Sequence, residues 1–161
     1  MSGEESADAR RRKRRLSVTV RENMRELSIQ LALLNHQVGQ RLDMRDVDLD
    51  CLDIISRHGP LGASALARTA GLHPATVTGI LDRLEKAGWI VRERDPQDRR
   101  AVVVRASRER GAQIYELYSG MNSSMEDLLN GYDESQLEVL ADFLTRAREA
   151  GVTATDDLAR G

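Results

Sequence analysis

The fold is decided by residues 62–107, which read GASALARTAGLHPATVTGILDRLEKAGWIVRERDPQDRRAVVVRAS. A short helix is predicted over about 63–69, and Gly71 follows it as a left-handed helix cap does. Pro74 then stands at the favoured first position of the next helix, over 74–87. One buried face of that helix is indicated by Val77, Ile80, Leu81 and Leu84, spaced i, i+3, i+4, i+7. Two helices joined by a turn that contains glycine predict a helix-turn-helix.

The period of the apolar residues changes after Gly88, which ends the second helix. The segments WIVRERD and AVVVRA have the residue types of strands, and Asp-Pro-Gln-Asp separates them. Proline and aspartate are turn formers, so the segment predicts a β-hairpin. Its tip is RERDPQDRR, residues 92–100. A hairpin directly after a helix-turn-helix makes the predicted fold a mainly α winged helix-turn-helix.

A long helix is predicted on the amino-terminal side, from about Thr19 to about Gln40. Thr19 and Glu22 have the spacing of a capping box. Its heptad seam consists of Val20, Met24, Leu27, Leu31, Leu34 and Val38. Residues 1–15, MSGEESADARRRKRR, lack apolar periodicity and predict a disordered basic tail. A further helix is predicted from about Asp46 to Arg57, with aspartates at its amino-terminal end, where the helix dipole favours them.

Two helices are predicted after the hairpin. Ser107 is a candidate amino-terminal cap for the first, whose apolar face lies within 114–129. Asp133 and Gln136 have capping-box spacing for the second. Its apolar face consists of Leu137, Leu140, Ala141, Leu144 and Ala147. Residues 151–161 predict a flexible tail.

The predicted organisation has five segments. They are a disordered tail (1–15), an amino-terminal dimerisation helix (16–45), a winged helix-turn-helix (46–106), carboxy-terminal dimerisation helices (107–150) and a tail (151–161). Long apolar helix faces at both ends favour a homodimer, because a partner subunit would cover them. The candidate dimerisation residues are Val20, Met24, Leu27, Leu31, Leu137, Leu140 and Leu144.

Composition excludes several classes of protein. The chain has 161 residues, a formal net charge of −2 and 31% charged residues, which fit one soluble domain. Apolar runs such as LALL, 31–34, are far shorter than the roughly 18 residues of a membrane span. Cys51 is the only cysteine, so no internal disulfide forms, which suits a cytoplasmic location. The chain contains no phosphate loop and no nucleophile motif, and its three histidines lack metal spacing. We therefore expect no enzyme, metal or cofactor.

The free face of the second helix favours double-stranded DNA as the partner. Small and hydroxylic side chains there let the helix backbone approach base edges in the major groove. Arginines at the hairpin tip suit the minor groove, whose negative potential is enhanced where it is narrow. Asp82 is expected either to pair with a nearby arginine or to point sideways, away from phosphate. Asp98 is expected to pair with Arg92 or Arg94, which would brace the wing. The candidate DNA-binding residues are Ser64, His73, Pro74, Ala75, Thr76, Thr78, Gly79, Arg83, Arg94, Arg99 and Arg100.

The block 62–107 resembles the winged helix-turn-helix of the multiple-antibiotic-resistance regulator (MarR) family. The resemblance rests on the wing signature Asp98, Arg100, Ala106 and Ser107, where the family usually has Leu-Thr at the last two positions. It implies that Asp98 braces the wing, that Arg100 enters the minor groove and that a homodimer reads a pseudo-palindrome. It also implies a regulator of transcription, most simply a repressor, with a small-molecule effector that shifts the spacing of the DNA-binding regions. The family often has arginine where this chain has Gly79.

Several residues keep a second interpretation. The hairpin tip is either a DNA contact or a solvated charged turn, and Arg10–Arg15 either contact phosphates or have no fixed role. Cys51 is either a peroxide sensor or a buried small apolar residue, and His73 either meets phosphate or caps a helix. The whole domain is either a DNA-binding regulator or a winged-helix protein-interaction module without specific DNA readout.

Overall fold

The computed structural model describes residues 2–160, with side chains from residue 7 onward. Six helices and one hairpin follow in chain order: α1 (Ser2–Arg41), α2 (Asp46–His58), α3 (Ala63–Ala70), α4 (Pro74–Lys86), β1 (Ile90–Arg94), β2 (Val102–Ala106), α5 (Arg108–Leu129) and α6 (Glu134–Arg160). The chain divides into two compact units between Asp46 and Val47. The predicted fold class, mainly α with a small β-hairpin, is confirmed.

Helix α1 is longer than the sequence predicts. The expected disordered tail, residues 1–15, is helical from Ser2 onward, and Met1 lies outside the described residues. Alanine, glutamate and arginine are all good helix formers, and they make up much of this segment. Thr19 is therefore not a cap but lies inside the helix, where its Oγ1 donates to the carbonyl of Arg15 at 3.2 Å.

The predicted helix-turn-helix is confirmed. Gly71 has φ 64°, and its left-handed conformation ends α3. His73 is the amino-terminal cap of α4, because its Nδ1 accepts a hydrogen bond from the backbone N–H of Ala75 at 3.2 Å. The predicted stripe of α4 is fully buried and consists of Val77, Ile80, Leu81 and Leu84.

The core of the second unit surrounds that stripe. It adds residues of α2, α3 and the hairpin, which are Leu49, Cys51, Leu52, Ile55, Leu66, Ala67, Trp89, Ile90, Val103 and Val104. Each large apolar side chain that is fully buried contributes about 1.5–3 kcal/mol to stability. Buried residues of α2 and of the hairpin therefore complete the core around α4.

The hairpin is antiparallel, with Ile90 opposite Ala106 and Arg94 opposite Val102. Leu61 pairs with Val104 on the other edge of β2, where the N–H of each residue donates to the carbonyl of the other at 3.2 and 2.9 Å. This third backbone segment anchors the base of the wing to the loop before α3. The wing tip therefore extends from a base that is hydrogen-bonded on both sides.

The last two helices begin where the sequence predicts. Ser107 holds the cap position of α5, although its side chain makes no cap hydrogen bond. In α6 the capping box is complete: the carboxylate of Asp133 accepts from the N–H of Gln136, whose side chain accepts from the N–H of Asp133, both at 3.0 Å. A hydrogen bond from the hydroxyl of Ser135 is the main cause that lowers the pKa of Asp133.

The structure differs from the flexible tail expected over residues 151–161, because α6 continues to Arg160. Gly161 lies outside the described residues. Ion pairs spaced three and four residues apart support this end of the helix. Arg160 contacts Asp157 at 3.2 Å and Asp156 at 3.9 Å. Within residues 2–160 no helix is long and apolar enough to cross a membrane.

Candidate nucleic-acid interface

One face of α4 is exposed and lined by small side chains. Five of the predicted contacts, His73, Pro74, Ala75, Thr76 and Thr78, are exposed at its amino-terminal end. The hydroxyl of Thr78 donates to the carbonyl of Pro74 at 3.2 Å, which leaves its lone pairs outward. Ser64 is likewise exposed, in the first turn of α3. The small side chains of this face would let the helix backbone come close to base edges in a major groove.

Gly79 lies on the same helix and is partly buried. A Cβ at this position would lie 3.5 Å from Nη1 of Arg83, which is ordinary van der Waals contact. Glycine inside a helix costs about 1 kcal/mol relative to alanine. The position therefore has room for a side chain that this chain does not place there.

Arg83, a predicted DNA contact, forms an ion pair within the domain, and its side chain is 41% exposed. Its Nε and Nη2 donate to the two carboxylate oxygens of Asp48 in α2, at 2.8 and 2.6 Å. This two-point contact fixes the plane of the guanidinium. The hydrogen bond that Arg83 donates to Asp48 is the main cause that raises the pKa of Arg83. The side chain therefore joins α4 to α2.

Asp48, the partner of Arg83, is a buried carboxylate whose role in joining two helices was not predicted from the sequence. It is 4% exposed, and among the described residues no other charged side chain is buried. Together with Asp46 and Asp50 it also lies at the amino-terminal end of α2, where the helix dipole favours a carboxylate. The spacing of Asp48 indicates its burial, because it lies four residues before Leu52 and seven before Ile55, on the buried face of α2.

Arg92 of β1 ties the wing to α4. Its Nη1 donates to Glu85 and its Nη2 to Asp82, both at 2.6 Å. The predicted pairing of Asp82 with a nearby arginine is confirmed, and Arg92 is that arginine. The contact fixes the angle between strand and helix, and it places a cation against two carboxylates that would repel phosphate.

Hydrogen bonds between aspartate side chains and backbone N–H groups hold the wing tip. The carboxylate of Asp95 accepts from the N–H of Gln97 at 2.8 Å, and that of Asp98 from the N–H of Arg100 at 3.0 Å. Such Asx turns fix a short loop without any strand pairing. The N–H of Ala101 also donates to the carbonyl of Asp98 at 2.9 Å.

The predicted ion pair of Asp98 with Arg92 or Arg94 is wrong. Arg92 forms ion pairs with the two carboxylates of α4. Nη1 of Arg94 donates to the carbonyl of Arg99 at 2.9 Å. Asp98 meets a backbone N–H instead, because the tight turn brings position 100 within its reach. Asp98 therefore fixes the backbone at Arg100 and does not contact another arginine side chain.

Arg99 and Arg100 are exposed, and in the part of the chain that the structure describes neither forms an ion pair. The cations at the tip are thus fixed through the backbone but retain free guanidinium groups. Free, preplaced arginines are suited to phosphate and to a narrow minor groove.

Cys51 is fully buried, which confirms its interpretation as a small apolar core residue. Burial, followed by the charges of Asp48 and Asp50, raises its pKa to about 11. The thiol is therefore protonated at neutral pH, which opposes the reactivity that a peroxide sensor needs. Among the side chains that the structure describes, residues 7–160, no three His, Cys, Asp or Glu are placed to hold a metal ion.

Comparison with known proteins gives a consistent result. The model of the MarR family matches residues 46–102. The uncharacterized HTH-type transcriptional regulator YcgE of Bacillus subtilis (strain 168) is 34% identical over 134 residues, which cover 83% of this chain and 87% of that protein. The HTH-type transcriptional repressor MdtR of the same organism is 26% identical over 99 residues, which cover 62% and 64%. The crystal structure of MarR is 25% identical with a TM-score of 0.54, and the match covers 83% of this chain and 98% of that one.

Proposed function

The chain belongs to the MarR family of DNA-binding transcriptional regulators, and on that premise we propose that it is a homodimeric cytoplasmic repressor that reads a pseudo-palindrome in double-stranded DNA. In this proposal α4 enters the major groove with the face around Thr76 and Thr78, and Arg100 enters the adjoining minor groove. Two-fold symmetry would present two copies of α4 to half-sites about one DNA turn apart. No residue is assigned a catalytic role, and no metal or cofactor is required.

The observation that carries the DNA-binding mode is the state of the wing tip. Asp98 fixes the backbone at Arg100 at 3.0 Å, while the guanidinium groups of Arg99 and Arg100 stay exposed. Arg92 ties the base of the same wing to α4 through Asp82 and Glu85. The reading helix and the wing thus form one preorganised surface, which lowers the entropic cost of binding DNA.

The homodimer is supported by apolar faces that a single chain leaves in water. Four candidate dimerisation residues of α1 are exposed, Val20, Met24, Leu27 and Leu31. In α6 Leu144 is exposed, and Leu137 and Leu140 are partly buried. Contiguous apolar residues at helical spacing favour association, because burial of their surface is favourable.

The repressor assignment and the effector are the finer parts of the proposal. The similarity to MdtR, which is described as a repressor, supports repression. Release by a small molecule requires that the molecule bind the DNA-free conformation more tightly than the DNA-bound one.

Selection of bound sites from random duplexes by the wild-type protein tests this function. We expect recovered sites with two inverted half-sites about one turn apart, and a mobility shift with two protein chains per duplex. Recovery of no preferred sequence, together with no shift on any duplex, would instead favour a protein-interaction module.

A further inference from the structure

The basic run of α1 lies in regular helix outside the winged helix-turn-helix. Residues 10–15 read RRRKRR, and every side chain among them is exposed. Arg11, Arg12, Lys13, Arg14 and Arg15 form no ion pair within the described part of the chain. These five residues, named here the α1 basic segment, therefore present uncompensated positive charge.

Helical geometry makes this segment a compact cationic cylinder. Successive side chains are 100° apart and rise 1.5 Å, so the five charges surround the axis within about 6 Å of its length. Arg11 faces Arg14 and Arg15 at spacings of three and four residues, where like charges destabilise a helix by roughly 0.2–0.5 kcal/mol a pair. A polyanion would remove this repulsion and would favour the helix.

The surface of the segment fits phosphate rather than an apolar partner. Arg11, Arg14 and Arg15 line one shallow depression with Val18 and Thr19. A guanidinium group binds two phosphate oxygens at once, so neighbouring arginines suit a row of phosphates. The α1 basic segment has no apolar face of its own, which an interfacial membrane helix needs.

We propose that the α1 basic segment is a second DNA-binding site of this chain, which contacts phosphates of the sugar-phosphate backbone without reading bases. The proposal rests on the proposed DNA-binding function and adds a sequence-independent contribution to it. Duplex DNA carries one charge per about 1.7 Å of its axis, a density that a segment with five charges in about 6 Å can match. Phosphate contact increases the affinity for every duplex by the same factor and leaves the ratio between specific and nonspecific sites unchanged.

The test replaces Arg11, Arg12, Arg14 and Arg15 by glutamine, which has a helix propensity close to that of arginine. The matched control removes four exposed arginines elsewhere, through Arg41→Gln, Arg146→Gln, Arg148→Gln and Arg160→Gln. Binding is titrated over a range of salt concentrations with a selected duplex and with a scrambled duplex of equal length. Circular dichroism of each protein is recorded with and without DNA.

We expect the segment variant to lose affinity about tenfold for both duplexes and to lose about two from the slope of log K against log salt, at about 0.9 for each phosphate contact. The control should stay within about twofold of wild type. The helix content of the variant should equal that of the wild type, so that a loss of affinity reports the loss of charge rather than the loss of the helix.

An unchanged slope and affinity in the variant, with normal sequence preference in the wild type, would overturn the inference and leave the proposed function intact. Loss of slope with no sequence preference in the wild type would support the segment and contradict the proposed function. An unchanged slope combined with wild-type binding to phosphatidylglycerol vesicles would also overturn the inference and assign the segment to lipid.

Discussion

Arginines in the body of the winged helix-turn-helix differ from arginines at its tip. In the body, Arg83 contacts Asp48, and Arg92 contacts Asp82 and Glu85. At the tip, Arg99 and Arg100 are exposed and meet no carboxylate among the described residues. The guanidinium groups of the body therefore neutralise carboxylates of the same domain, whereas those at the tip have no carboxylate partner among the described residues.

The two regions also differ in how their charges are fixed. Asp48 is nearly fully buried, so its contact with Arg83 is shielded from solvent on one side. Aspartates at the tip accept hydrogen bonds from backbone N–H groups and leave the arginine side chains available. The body uses arginine to hold helices together, whereas the tip uses aspartate to hold arginine in place.

The largest effect is expected from Arg83→Met, which leaves the carboxylate of Asp48 buried without its partner. We expect the free energy of unfolding to fall by about 2–3 kcal/mol, less than for a fully buried pair because Arg83 is partly exposed. Urea denaturation measures this change. The matched control is Arg57→Met, whose partner Asp53 is exposed, and which should cost under about 0.5 kcal/mol. Equal losses in the two variants would contradict a structural role for Arg83.

Arg100→Ala should have the largest effect on DNA binding. We expect about a tenfold loss of affinity for a selected duplex, equivalent to about 1.4 kcal/mol, because the minor-groove contact is removed. A mobility shift at two salt concentrations measures it. Arg146→Ala removes an exposed arginine of α6 and serves as the control. Equal affinity of Arg100→Ala and wild type would favour a solvated turn.

Arg92→Ala is expected to weaken DNA binding about fivefold, or ~1 kcal/mol, without loss of a DNA contact. The physical reason is that Asp82 and Glu85 then face phosphate without their cation. The same substitution in an Asp82→Asn, Glu85→Gln background should have almost no effect, and titration of the four proteins measures the coupling. An equal loss in both backgrounds would mean that Arg92 itself contacts DNA.

Gly79→Arg should give the smallest change, about a threefold gain of affinity for all duplexes, or ~0.65 kcal/mol. The Cβ meets only Nη1 of Arg83, at 3.5 Å, and the new guanidinium group adds a phosphate contact. Titration over salt should show a steeper slope and little gain in specificity. Unchanged affinity would show that this face of α4 does not approach the DNA backbone.

The elements of the fold were predictable because their signals are local. The stripe from Val77 to Leu84, the cap at Gly71 and the capping box at Asp133 each depend on residues a few positions apart. The helix over residues 2–15 was not predicted, because a charged segment without an apolar face has the composition of a disordered tail.

The candidate site was predictable only in part, because its contacts join distant positions. Asp48 and Arg83 are 35 residues apart, so no spacing rule reveals their pairing. Asp98 was correctly singled out, but its partner was assigned by charge, whereas the turn geometry favours the N–H of Arg100. The predicted DNA contacts of the other site residues and the domain boundaries stay predictions.

We propose that the free arginines at the tip bind DNA and that the paired arginines in the body do not. The most direct measurement compares the salt dependence of binding for wild type, Arg100→Ala and Arg83→Met, each shown to be folded by circular dichroism. We predict that Arg100→Ala lowers the slope of log K against log salt by about one and that Arg83→Met leaves it unchanged. A slope that falls in Arg83→Met but not in Arg100→Ala would contradict this account.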